Sequence, residues 1–89
     1  MAHTQASGVD RIKVDARSGA ADALLQLGLM YSLGREVKRD LVAAHKWFNL
    51  AALRGNVSAR TYRTEIASEL SQGEVATAQR MARDWLLTV

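Results

Sequence analysis

Apolar residues recur along this chain at the spacing of a helix, not of a strand. Leu24, Leu27, Gly28 and Tyr31 fall at i, i+3, i+4 and i+7, and Leu25, Leu29 and Leu33 make a second stripe on the same segment. A helix over 20–33 is therefore apolar around most of its circumference and must be covered on more than one side. In the following segment Leu41, Ala44, Phe48, Ala51 and Ala52 form an inward stripe with Trp47 at its flank. Small residues stand opposite bulky ones across the two stripes. Gly28 and Ala44 let the helix axes approach, and Tyr31, Trp47 and Phe48 fill the space beside them. Gly34 and Gly55 sit where each periodic pattern stops, the favoured place for a left-handed terminating residue. Asp40 is suited to cap the second helix, because its carboxylate can accept from free N–H groups of the first turn. Gly19 to Asn56 thus reads as a helical hairpin bounded by glycines.

The flanks are read from this hairpin outward. Residues 1–6 read as a flexible tail and 7–89 as one domain: a partial repeat over 7–19, the best repeat over 20–55 and a terminal helical pair over 56–89. Ser7 followed by Asp10 resembles a capping arrangement, and a helix is expected from Val9 to Ser18 on the stripe Val9, Ile12 and Ala16. A shift of 36 residues places Gly19 on Gly55, Ala16 on Ala52, Val14 on Leu50 and Ile12 on Phe48. The first helix therefore reads as the back half of an incomplete repeat, covering the free side of the Ala20–Leu33 helix. The same shift places Ala20, a poor N-cap, on Asn56, a good one. A third helix is expected from Val57 to about Leu70, with Ala59, Tyr62, Ile66 and Leu70 inward and Arg60, Arg63, Thr64 and Glu69 outward. The repeat pattern fades there, since Arg63 and Thr64 stand where Leu27 and Gly28 stood. Ser71-Gln72-Gly73-Glu74 fits a capping box, although Gly73 fits equally the end of the third helix. A fourth helix of the domain's regular part follows to Leu87, with Val75, Ala78, Met81, Ala82 and Trp85 inward. A polar outer face on a terminal helix is what the end of a helical stack requires.

Ala23, Leu27-Gly28, Tyr31, Gly34, Val37, Asp40, Ala44, Trp47, Ala51-Ala52 and Gly55 together resemble the Sel1-like repeat, a relative of the tetratricopeptide repeat. The pattern covers about two-fifths of the chain. One position departs from it: the family usually has a second glycine just before the valine, and Glu36 stands there. The expected fold is all-α, a short right-handed α-solenoid of stacked antiparallel helical hairpins, about five helices in all. The resemblance implies a non-enzymatic adaptor or scaffold that binds a partner protein.

Composition narrows the rest. The 89 residues are 48% hydrophobic and contain no proline, which favours one all-α domain over disorder. Without cysteine there is no disulfide, thiol chemistry or cysteine zinc site. Met1 to Asp10 has no apolar run of a signal peptide, and no stretch approaches the about 20 apolar residues of a membrane span, so a cytoplasmic setting without membrane contact is expected. Twelve bases against nine acids give a net charge of +3. The bases are spread, with acids close by, and the nearest approach to a cluster is Arg54, Arg60 and Arg63; a nucleic-acid partner is disfavoured. His45 lacks a second ligand at i+4, where Asn49 stands, so no metal is expected. The acids Asp10, Asp15, Asp22 and Asp40 suit helix starts and polar faces, and the glycines make no phosphate loop. No catalytic residue and no cofactor is expected. The candidate contacts for a protein partner are Asp22, Gln26, Met30, Arg60, Arg63 and Thr64, on the first helices of the hairpins. Self-association through apolar Leu86, Leu87 and Val89, giving a homodimer, is the alternative.

Overall fold

The computed structural model describes residues 8–88, so the expected tail over 1–6 lies outside the described residues. Five helices follow one another: α1 (Gly8–Arg17), α2 (Ala21–Leu33), α3 (Leu41–Leu53), α4 (Val57–Ala67) and α5 (Gln72–Thr88), with no strand among the described residues. The fold is the all-α stack of helical hairpins expected from the periodicity. None of these helices is long and apolar enough to cross a membrane.

Local chemistry sets the boundaries. Asp40 takes an extended conformation, and its carboxylate accepts from the Ala43 N–H at 3.0 Å, opening α3. Asn56 does the same for α4, accepting from the Ala59 N–H at 2.9 Å. Ala20 starts α2 with no side-chain bond, as its methyl group dictates. At α5 the box is complete: the Ser71 N–H donates to the Glu74 carboxylate at 2.9 Å, and the Glu74 N–H donates to the Ser71 hydroxyl at 3.1 Å. Gly73 therefore belongs to the first turn of α5. The third of the expected long helices is shorter than its periodicity suggests. It stops at Ala67, and Glu69 and Leu70 donate three residues back, to Ile66 and Ala67, in tight turns that bring Ser71 to the start of α5.

The 34–40 turn carries the one non-glycine residue with positive φ among the described residues. Gly34 ends α2 in the left-handed region at φ 70°, and Glu36 adopts φ 62° two residues later. Glu36 occupies the position where the repeat pattern places its second glycine. A side chain there costs about 1–2 kcal/mol against glycine in backbone terms. Its carboxylate reaches back across the stack: Oε2 stands 2.7 Å from where a Cβ on Gly8 would lie, at the positive end of α1.

Packing centres on α3. It meets α2 most extensively, then α4 and α5, while α1 lies against α2. Phe48, Leu24 and Leu27 are fully buried, with Leu50 at 1% exposure, and Ala16, Ala44, Ala51, Ala59 and Ala78 provide the close approaches. A Cβ on Gly28 would fall on Cδ1 and Cε1 of Phe48, so the absence of a side chain is what admits the ring. Tyr62 of α4 stacks on Phe48 with centroids 5.2 Å apart and planes 16° from parallel. Trp85 of α5 meets Trp47 edge-on at 5.7 Å and 81°. Two adjacent aromatic residues of α3 thus hold the two later helices. Of the second stripe on α2, Leu25 and Leu29 pack at the core's margin, whereas Leu33, the last residue of the helix, is 61% exposed.

Replacing Glu36 by glycine should raise stability by about 0.5–1 kcal/mol, the relief at positive φ less the entropy that glycine adds to the unfolded chain. Urea unfolding of the variant reads this directly; a loss of stability would show that the carboxylate's contact with the start of α1 outweighs the backbone strain.

Candidate partner-binding surface

A groove of about 310 Å³ lies beside α2, lined by Ile12 of α1, Gln26 and Met30 of α2, and Arg35 and Glu36 of the following turn. Its construction follows from the helix period. Asp22, Gln26 and Met30 are spaced four apart and share the stripe of α2 turned away from Phe48. Asp22 and Gln26 are exposed, while Met30 is 8% exposed and forms part of the groove's floor. Arg35 and Glu36 form one end, and neither side chain is in an ion pair among the described residues. The groove offers an apolar floor with a donor, an amide and a carboxylate at its edge, features of a site that orients a polar chain with one apolar anchor.

The three candidates on α4 sit elsewhere. Arg60 is exposed. Arg63 is half-buried, and its Nη1 donates to Asn49 Oδ1 of α3 at 2.7 Å, so it braces two helices. The Thr64 hydroxyl donates to the Arg60 carbonyl at 3.0 Å, within its own helix. None of the three lines the groove. In the sequence Ile12 belongs to the apolar stripe of α1 and Glu36 stands out only as a departure from the repeat pattern. The signal that could have found them was the departure at Glu36, where the repeat pattern has glycine.

His45 is 2% exposed, and its Nδ1 has no hydrogen-bond partner among the described residues. Burial pushes its pKa below the ordinary 6.5, and the Arg63 guanidinium facing it from α4 adds to the effect. The ring is held neutral in the folded chain. Among the described residues no three side chains of His, Asp or Glu converge as metal ligands.

Hairpins that share a central helix and stack on it define a helical-repeat module. Residues 21–56 match the Sel1 repeat, and the chain carries one complete repeat of that family with helices on either side. Sel1 repeats generally mediate protein–protein contact and are typically non-enzymatic. Alginate biosynthesis protein AlgK of Azotobacter vinelandii is 33% identical over 73 residues, a match covering 82% of this chain and 16% of AlgK. This chain therefore spans 16% of the length of that relative, and the likeness reaches beyond the repeat into the flanking helices. No solved structure matches the chain.

The neutral His45 makes stability depend on pH with a definite sign. The unfolded chain takes up the proton near pH 6.5 while the folded chain resists it, so stability is greatest above about pH 6.5 and is lost as pH falls through that value towards the lowered folded pKa. Chemical unfolding between pH 5 and 7 should show this decline, and His45→Gln should flatten it. An unchanged slope in the variant would assign the dependence to other groups.

Proposed function

We propose that this chain is a non-enzymatic interaction module that binds a partner protein along α2, in the groove floored by Ile12 and Met30 and edged by Gln26, Arg35 and Glu36. The observation that carries this reading is that groove, opening on the stripe of the repeat's first helix that the hairpin contact leaves free. Asp22 extends the same stripe. Arg60, exposed on α4, is a second point of contact. Arg63 and Thr64 contribute by holding α4 in place. The partner supplies an apolar side chain to the floor and polar groups to the edge. Nothing in the arrangement depends on redox setting, because the chain has no cysteine.

Self-association is the second reading, favoured by Leu86 and Leu87, 38% and 80% exposed near the end of α5. A nucleic-acid role gains no such support: the basic residues are spread along the chain, and Trp47, Trp85, Phe48 and Tyr62 pack in pairs against one another.

A photo-crosslinking residue placed at Gln26 should capture a defined partner protein that the same residue at Gln79, exposed on α5, does not capture, and Met30→Gln should abolish the product. Equal capture from both positions would remove the groove as the binding site. Sedimentation at micromolar concentration separates the second reading, a dimer dissociated by Leu87→Glu supporting it and a monomer excluding it.

A further inference from the structure

The groove beside α2 presents its charges in a fixed order. Asp22, Gln26 and Met30 follow one another on one stripe of α2, about 6 Å from each to the next. Arg35 continues the row past the end of the helix. Its N–H donates to the Met30 carbonyl at 2.9 Å, which fixes the backbone that carries the guanidinium about one turn beyond Met30. Met30 and Arg35 line the groove together, and Ile12 of α1 completes the apolar floor. Along α2 the row therefore reads acid, amide, apolar floor, base.

The two charges at the ends of the row are exposed, and among the described residues neither Asp22 nor Arg35 is in an ion pair. Glu36, next to Arg35 in the chain, is directed to α1. Its carboxylate oxygens stand 2.7 and 3.3 Å from where a Cβ on Gly8 would lie, at the positive end of that helix. An acid and a base held at opposite ends of an apolar floor favour a ligand whose charges run in the complementary order, and set like against like in the reverse order. The size of the groove selects the ligand's backbone. At about 310 Å³ it stands at the lower end of the range for ligand pockets, and a helix about 10–12 Å across does not enter it. An extended chain does. It turns every second side chain to one face, about 6.6 Å apart, close to the step of about 6 Å along the row.

We infer that the groove takes an extended segment of a partner protein in which a basic, a short polar, an aliphatic and an acidic residue occupy every second position. The base meets Asp22, and the polar residue meets the Gln26 amide. The aliphatic side chain enters between Ile12 and Met30. The acid meets the Arg35 guanidinium, whose planar fork receives a carboxylate through two parallel N–H donors. The intervening side chains of the segment face solvent. The inference rests on the groove being the docking site and adds the chemistry of what docks there.

The test is fluorescence anisotropy at low salt, with the full chain titrated into two labelled peptides: Lys-Ser-Asn-Ser-Leu-Ser-Glu, and the same residues written from the other end, because the row sets the order of charges and not the direction of the backbone. One of the two is expected to bind. Arg35→Glu should weaken it about tenfold, and Asp22→Asn about threefold. Replacing the peptide's Glu by Lys should restore affinity for the Arg35→Glu variant. Both substituted side chains are exposed, so circular dichroism should show an unchanged helix content. Arg80→Glu, the same charge change on the exposed face of α5, should alter affinity less than about twofold. The proposal is overturned if neither peptide binds, if Arg80→Glu weakens binding as much as Arg35→Glu, or if the Lys-bearing peptide does not recover affinity for the Arg35→Glu variant. If neither peptide binds while a crosslinking residue at Gln26 still captures a partner protein that Met30→Gln abolishes, the charge order alone is wrong and the groove stands; if that capture fails as well, both fall.

Discussion

The insertion of Phe48 into the notch at Gly28 is the contact on which the other helices depend. A ring can lie against the backbone of α2 only where α2 has no side chain, and Gly28 supplies that place at mid-helix. Glycine in a helix interior costs about 1 kcal/mol against alanine. Here that cost is offset by burial of a whole aromatic ring with no exposure left. Once the ring is fixed, its face receives Tyr62 and so positions α4, and the neighbouring Trp47 receives Trp85 and so positions α5. The stack is thereby assembled on one helix, α3, and not pair by pair along the chain.

That construction divides the surfaces of the protein. The apolar faces of α2 and α3 are consumed by each other and by α1, α4 and α5, which leaves their polar margins for contact with other molecules. On one margin of α1 the groove holds Ile12, Met30 and the Arg35–Glu36 pair. Binding in that groove, as proposed, would leave the contacts of α3 with its neighbours undisturbed.

Much of this was readable in the residues. The 3.6-residue period located all five helices, the polar caps Asp40, Asn56 and Ser71 marked the starts of α3, α4 and α5, and the spacing from Ala23 to Gly55 identified the repeat. The boundary of α4 was not readable, because Leu70 continues the apolar stripe although the chain has already turned to reach the capping box. Arg63 was placed in solvent because periodicity treats every charge as outward; its bond to Asn49 is a tertiary contact fourteen residues away. His45 was equally hidden, since its burial depends on how closely α4 approaches α3. Of the surface, Gln26 and Met30 could be placed on a free stripe of α2. Their neighbours Ile12, Arg35 and Glu36 come from other elements, and only the folded chain brings them together.

A double-mutant cycle on Gly28→Ala and Phe48→Leu tests the central contact most directly. Each single change should destabilise, Gly28→Ala by about 1–3 kcal/mol from overpacking. Combined, they should cost less than their sum by at least about 1 kcal/mol, because the smaller side chain makes room for the new methyl group. Strict additivity, or a Gly28→Ala variant more stable than the parent as helix propensity alone would have it, would contradict the account.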